Sequence, residues 1–382
     1  MSPTLIVDCG SGFTRAAVFQ GRDGRVHCQE AHAYAGLSGS FAQRRIVDVL
    51  VEGGLALREW VMGIRALSES TGCGITVVGA TGGLRQAELD GTVTPAMLTR
   101  LAALLRDLVP RVEFLRLSSE DEAQAELAAV QYVTHSVLPS TARRPIGMLS
   151  SGGMTSQAGW HTSPDATASF LSVTHGLNDA ASALREQPET AGARRDALVA
   201  FESRMSAAVD ATGLRGRLAG TFVAIEMVGA LGSADDYLGS FATLSQQIGR
   251  QLVSKAQLVA ALQQHLREWQ AQTGPVADRH GAYAGLLPAT LLSLTALTDD
   301  TATFYVCRVF EVAPNVVLQP SWSLGLFVVM MSGGLESSGR LVVASRKALR
   351  SVLPLGAVLM VLAVAAMVVA VGRGARLRGF GS

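Results

Sequence analysis

The first apolar run of the chain, Thr4 to Val7, is short and β-rich, and it ends in Asp8-Cys9-Gly10-Ser11-Gly12. Ala16 to Phe19 resumes strand character before the turn Gly21-Arg22-Asp23-Gly24, so the opening reads strand, loop, strand, turn, strand. Leu55 to Leu67 carries apolar residues at helical spacing, and Gly74 to Val78 is a compact strand closed by Gly79-Ala80-Thr81-Gly82-Gly83-Leu84-Arg85. A helix is predicted from Pro95 to Leu108 and a strand from Val112 to Leu117. Ser118-Ser119-Glu120 then opens a helix through Val133, with the serines as N-cap candidates.

From Arg144 to Leu149 the opening pattern restarts: a strand, the loop Ser150-Ser151-Gly152-Gly153-Met154-Thr155-Ser156-Gln157, and a second strand. Two such units about 140 residues apart predict two α/β lobes of one topology, facing each other across a central cleft. Residues 1–143 with about 322–345 form the first lobe in this reading, and 144–321 the second. Leu177 to Gln272 reads as mostly helical, and the apolar run Trp322 to Met331 completes the soluble part.

Leu353 to Val371 is nineteen residues without a charge, close to the length that spans a bilayer core as a helix. It is expected to be a single-pass C-terminal membrane anchor, followed by a short tail, 372–382. Arg346, Lys347 and Arg350 before it balance Arg373, Arg376 and Arg378 after it, so charge does not orient it. The N-terminus shows no charged n-region and separate apolar h-region, the marks of a signal peptide.

Hydrophobic residues make up 48% of the 382 and charged residues 16%, which excludes a disordered chain. The net charge is +1 and no dense Lys/Arg patch interleaves with aromatics, so nucleic acid is not an expected partner. Cys9, Cys28, Cys73 and Cys307 form no Cys-x-x-Cys pair, against a structural zinc site; Cys9–Cys28 or Cys73–Cys307 pairing is left open.

Both Gly-containing loops suit phosphate, because backbone N–H groups can approach it where no Cβ intrudes. Asp8, at a strand end, is placed to hold Mg2+ beside the phosphates, directly or through its waters. Ser11 and Thr14 add hydroxyl donors.

Five segments in order resemble the signatures of the apyrases, the nucleoside triphosphate diphosphohydrolases, which belong with the exopolyphosphatases among the actin-like phosphohydrolases. Asp8, Gly10, Ser11, Thr14 and Arg15 match the first, and Ala80-Thr81-Gly82-Gly83-Leu84-Arg85 the second. Ser118-Ser119-Glu120-Asp121-Glu122-Ala123, Ser150 to Gln157, and Trp322-Ser323-Leu324-Gly325 match the third, fourth and fifth.

The resemblance implies two actin-like (RNase H-like) lobes and metal-dependent attack of water on the terminal phosphate of a nucleoside di- or triphosphate. Glu122 matches the general base, with Thr155 and Gln157 poising the water. Gly10, Ser11, Gly12, Thr14, Arg15, Thr81, Gly152, Gly153, Met154 and Ser156 match the phosphate-binding positions. Asp8 matches a metal position, for Mg2+ or Ca2+. The match departs at Ser150, where the family has an aspartate, and at Ser119, Leu127 and Gln131, where it has Gly, Trp and Asn. The serine lowers the expected affinity for magnesium and admits a catalytically impaired, nucleotide-binding relative; an exopolyphosphatase-like hydrolase is a further alternative.

Overall fold

The structure is a computed structural model. It describes residues 2–331 apart from 13, 23–24, 31–43, 138–145, 162–167, 174–179, 183, 185–190, 227–251, 272–278, 308–309, 314–315 and 319. The segment 353–371 expected to cross a membrane lies outside these residues; among the described residues no helix is long and apolar enough to do so.

The first sheet holds β1 (Thr4–Cys9), β2 (Thr14–Arg22), β3 (Arg25–Glu30), β4 (Ile75–Ala80) and β5 (Val112–Arg116) in the order β3-β2-β1-β4-β5. The first three strands form an antiparallel meander, while β4 runs parallel to β1 and β5 parallel to β4. The second sheet holds β6 (Ile146–Ser151), β7 (Ser156–His161), β8 (Ala168–Val173), β9 (Thr221–Glu226), β10 (Val253–Ser254) and β11 (Thr303–Cys307) in the order β10-β11-β9-β6-β7-β8. Here too three strands meander, then β9 pairs parallel with β6 and β11 parallel with β9. From the meander inward, each sheet has the same connectivity, as the duplicated sequence pattern predicts.

The registers agree in detail. Asp8 stands opposite Arg15 in the first hairpin, and Ser150 stands opposite Gln157 in the second. In each hairpin the penultimate residue of the first strand faces the second residue of the next. Ser150 is therefore the counterpart of Asp8, and Gln157 the counterpart of Arg15, by the chain's own internal symmetry.

Helices fill the layers between and outside the sheets. On one face of the first sheet lie α1 (Ile46–Glu52), α2 (Gly54–Ser70), α3 (Gly82–Leu89) and α4 (Pro95–Leu108). On the outer face of the second lie α6 (Ala191–Ala211), α7 (Lys255–Ala271) and α8 (Arg279–Thr295). Between the sheets, α5 (Ser119–Val137) and α9 (Trp322–Met331) share one core with Ile6, Phe19 and Val77 of the first sheet and Met148 and Val223 of the second. A small ribbon of β12 (Phe310–Ala313) and β13 (Val316–Leu318) precedes α9.

The residues of the fifth motif explain how α9 docks. Trp322 is fully buried, and a Cβ on Gly79 of β4 would lie 2.2 Å from its ring, so only glycine leaves room for it. A Cβ on Gly325 would lie 1.6 Å from the carbonyl oxygen of Ala125, so α9 crosses α5 at backbone contact. Core packing is thus the role of Trp322. The region read as mostly helical, Leu177 to Gln272, contains a central strand as well, β9. Thr221 to Ala224 of this strand are all buried, between β11 and β6, without the alternation that marks a half-exposed strand.

Candidate active site

The site forms where three strand ends and the start of α5 converge. Ser118 caps α5: its Oγ accepts from the Asp121 N–H at 3.0 Å, and the Asp121 carboxylate accepts from the Ser118 N–H at 3.1 Å, a reciprocal box. Asp121 is taken up in that cap and Glu120 faces solvent, so of the three acidic residues only Glu122 turns inward.

Glu122 is held on two sides. Arg85, from α3, donates to its Oε2 at 3.0 Å and to the Leu117 carbonyl at 2.7 Å, which ties the base of α5 to α3. Gln157, from β7, donates to the same carboxylate and reaches the Thr155 hydroxyl at 3.4 Å. Burial pushes the Glu122 carboxyl above its ordinary value; Arg85 and Gln157 pull it back in part, and the charge of Asp8 adds to the rise. The structure therefore brings together Glu122, Gln157 and Thr155 from opposite halves of the chain. Arg85, the last residue of the second motif, makes an ion pair to Glu122.

The two loops also meet. The first hairpin loop, Gly10 to Gly12, is backed by α3: a Cβ on Gly83 would lie 2.6 Å from Cα of Ser11, so glycine permits the helix start to press against the loop. In the second, the Gly152 N–H donates to the Thr155 carbonyl at 2.8 Å, closing a tight turn that carries Gly153 and Met154 at its tip. Met154 reaches across to the first half of the chain, 3.0 Å from where a Cβ on Gly82 would sit. Thr81 is buried beside this junction, with its N–H directed to the Cys9 carbonyl at 3.4 Å.

Not every predicted phosphate contact points into the cleft. The Thr14 hydroxyl is buried and donates to the Arg44 carbonyl at 2.8 Å, away from the loop. The Ser156 hydroxyl sits inside the second hairpin, 3.2 Å from that of Ser151. Arg15 pairs with Asp8 at 2.7 Å and keeps 32% of its side chain exposed, so it can meet an incoming anion. Cys9 is a buried thiol, raised well above its ordinary value by burial, and it is not disulfide-bonded; nor is Cys73.

One acidic residue escaped the sequence reading. Glu126, one helical turn after Glu122 on α5, is 1% exposed. It accepts a hydrogen bond from Ser150, while its Oε2 has no partner. Burial and the charges of Glu122 and Asp8 push its carboxyl well above the ordinary range, against a smaller pull from Ser150 and Arg15. A signal was present: Glu126 is the one charged residue in the run Ala125 to Val130, on a helix whose other neighbours are Ala, Leu and Val.

For a divalent cation, the buried Asp8 carboxylate at the mouth of the first loop is a suitable donor. Among the described residues no three His, Cys, Asp or Glu side chains close around one point. A cation here would have few protein ligands and rely on water and substrate oxygens, the habit of Mg2+.

Two sheets of equal connectivity, with hairpin loops meeting over a shared pair of inner helices, make up the actin-like architecture. Solved structures that share it include an Aquifex aeolicus member of the Ppx/GppA protein family, 13% identical over 88% of this chain and 99% of that one, with a TM-score of 0.54. A Cytophaga hutchinsonii exopolyphosphatase is 12% identical over 87% of this chain and 98% of its own, with a TM-score of 0.54. An exopolyphosphatase-like protein is 11% identical over 87% of this chain and its own whole length, with a TM-score of 0.55. At such identities the likeness is one of fold. No protein-family model matches the sequence, and no curated protein matches it.

Proposed function

We propose that the chain hydrolyses the terminal phosphate of a phosphoanhydride chain, in nucleoside tri- or diphosphates or in polyphosphate, by in-line attack of water. The observation that supports this most is the set of hydrogen bonds around Glu122: a buried carboxylate, held by Arg85 and Gln157 beside the Thr155 hydroxyl, under two facing glycine loops. Glu122 takes the proton of the attacking water, and Gln157 and Thr155 fix the water's lone pair along the line of attack. Backbone N–H groups of Gly10 to Gly12 and of Gly153 and Met154, with the Arg15 guanidinium, bind the phosphoryl oxygens whose charge grows in the transition state. Asp8 would hold a divalent cation, Mg2+ or Ca2+, which when bound neutralises charge on the phosphate oxygens.

Polyphosphate is a substrate reading favoured by the names of the structurally similar proteins, and nucleotides by the five ordered motifs. A phosphate-release assay on the purified full-length chain, with Mg2+ and a panel of nucleotides and polyphosphates, separates the two. Glu122→Gln is expected to lower kcat by about a hundredfold or more on whichever substrate is used, the usual weight of a general base. Metal-dependent release no greater than that of Glu122→Gln on every member of the panel would sink the reading. We further propose that 353–371 anchors the chain in a membrane.

A further inference from the structure

The chain's own symmetry leaves an asymmetry to explain. At the penultimate position of the leading strand, the first hairpin has a carboxylate, Asp8, and the second has a hydroxyl, Ser150. The space beside Ser150 is not apolar. Glu126 comes from α5 to meet it, almost wholly buried, with Oε2 unpartnered and within electrostatic reach of Asp8, Glu122 and Arg15.

A buried carboxylate oxygen without a partner costs about 1–3 kcal/mol or more, and a fold retains one where something else satisfies it. Arg15 is engaged with Asp8 at 2.7 Å, and its charge favours the ionised form of Glu126 without giving Oε2 a hydrogen bond. Two buried carboxylates from two different elements, each within electrostatic reach of the other beside the hairpin strands that carry the glycine loops, suit a hard cation with few protein ligands.

We infer that Glu126 is the second cation-holding carboxylate of the cleft, acting opposite Asp8 in the place that strand β6 leaves to Ser150. The acid has moved from the strand to the adjacent helix, and the Ser150 hydroxyl orients it by donating to it. This rests on the cleft being the phosphate site proposed above, though it concerns cation binding and not turnover.

The test measures Mn2+ binding by the electron paramagnetic resonance signal of the free ion, with full-length protein, first with Mn2+ alone and then with Mn2+ and imidodiphosphate, whose bridging nitrogen resists hydrolysis. Wild type is expected to bind one Mn2+. Glu126→Gln, which keeps the side chain's shape, is expected to weaken binding at least tenfold with little change in melting temperature. Adding Ser150→Asp to Glu126→Gln returns a carboxylate to the strand and is expected to restore binding to within about threefold. If the single variant does not fold, the double variant still decides: Mn2+ bound by the carboxylate returned to β6, in a chain without Glu126, supports the exchange. No Mn2+ binding by wild type, unchanged binding in Glu126→Gln, or no recovery in the double variant overturns it. Phosphate release with Mn2+ binding indifferent to Glu126 would refute this inference and spare the proposed function; Glu126-dependent Mn2+ binding without release of phosphate from any substrate would do the reverse.

Discussion

The Arg85–Glu122 ion pair offers a perturbation whose size and sign follow from the site. Two unit charges about 4 Å apart interact by about 4 kcal/mol at the effective dielectric of a protein margin. Here the contact is 3.0 Å, the glutamate side chain 11% exposed and the arginine 22%. Partial access of water to the guanidinium brings the expected figure to about 2 kcal/mol, given that a tenfold change in proton affinity corresponds to about 1.4 kcal/mol. Arg85→Gln removes the charge that opposes burial, so the Glu122 carboxyl holds its proton to higher pH. If Glu122 is the base, the acid limb of the pH dependence of kcat moves upward by about one pH unit or slightly more. Arg85→Lys retains the charge and should leave the limb near its wild-type position, with a small loss from the forfeited second bond to the Leu117 carbonyl. The assay is initial-rate phosphate release from about pH 5 to 9 at saturating substrate and Mg2+, the range in which such a limb is read. An acid limb that stays in place in Arg85→Gln, with measurable turnover, would refute the assignment of that limb to Glu122.

Other outcomes follow from the same structure. Glu126 binds its proton more tightly folded than unfolded, so in EDTA its contribution is greatest below the ordinary glutamate range and is lost as pH rises through its folded value. Urea midpoints should therefore fall from about pH 5 to about pH 8, and fall less in Glu126→Gln; equal slopes would contradict the burial of that carboxyl. Gly325→Ala puts a methyl group into the Ala125 carbonyl and forces α9 off α5, at a cost of about 1–3 kcal/mol, seen as a drop of several degrees in melting temperature. Gly83→Ala strains the first loop through Ser11 and is expected to raise KM for the substrate more than it lowers the melting temperature, which parallel kinetics and melting curves would check. Removing 353–382 should release the protein from membranes on alkaline carbonate washing, whereas the full chain stays with the pellet; retention of the truncated form would count against the anchor.

Elements with strong local signals were legible in the sequence. The helix predicted from Pro95 to Leu108 forms with those bounds, because Thr94 caps it, proline fits its first turn and its leucines recur on one face. The two hairpins were legible because each strand end is punctuated by glycines. Strand β9 was not, since a strand covered on both faces shows an apolar run without period. In the site, Glu122 and the loops could be found from local motifs. The pairing of Glu122 with Arg85, thirty-seven residues earlier, could not, nor could the diversion of the Thr14 hydroxyl to Arg44, because both depend on how separate elements dock. Glu126 lay between: its charge was visible in an apolar stretch, but its proximity to Ser150 and Asp8 depends on α5 lying between the sheets.

The docking of α9 also sets the order in which the molecule can be assembled. Trp322 fills the hollow over Gly79, and Gly325 seats α9 on α5, so the inner core of the first sheet is completed by residues from the far end of the described chain. During synthesis the first sheet leaves the ribosome long before α9 does. Until then its inner face, with Ile6, Phe19 and Val77, lacks the cover that α9 supplies, and the second half of the chain has time to form first. Closure of a loop of that length is slow compared with local hairpin and helix formation. Refolding should accordingly show a late phase in which Trp322 fluorescence changes after most secondary structure has formed, and the helix that carries Glu122 and Glu126 should gain protection from hydrogen exchange only in that phase.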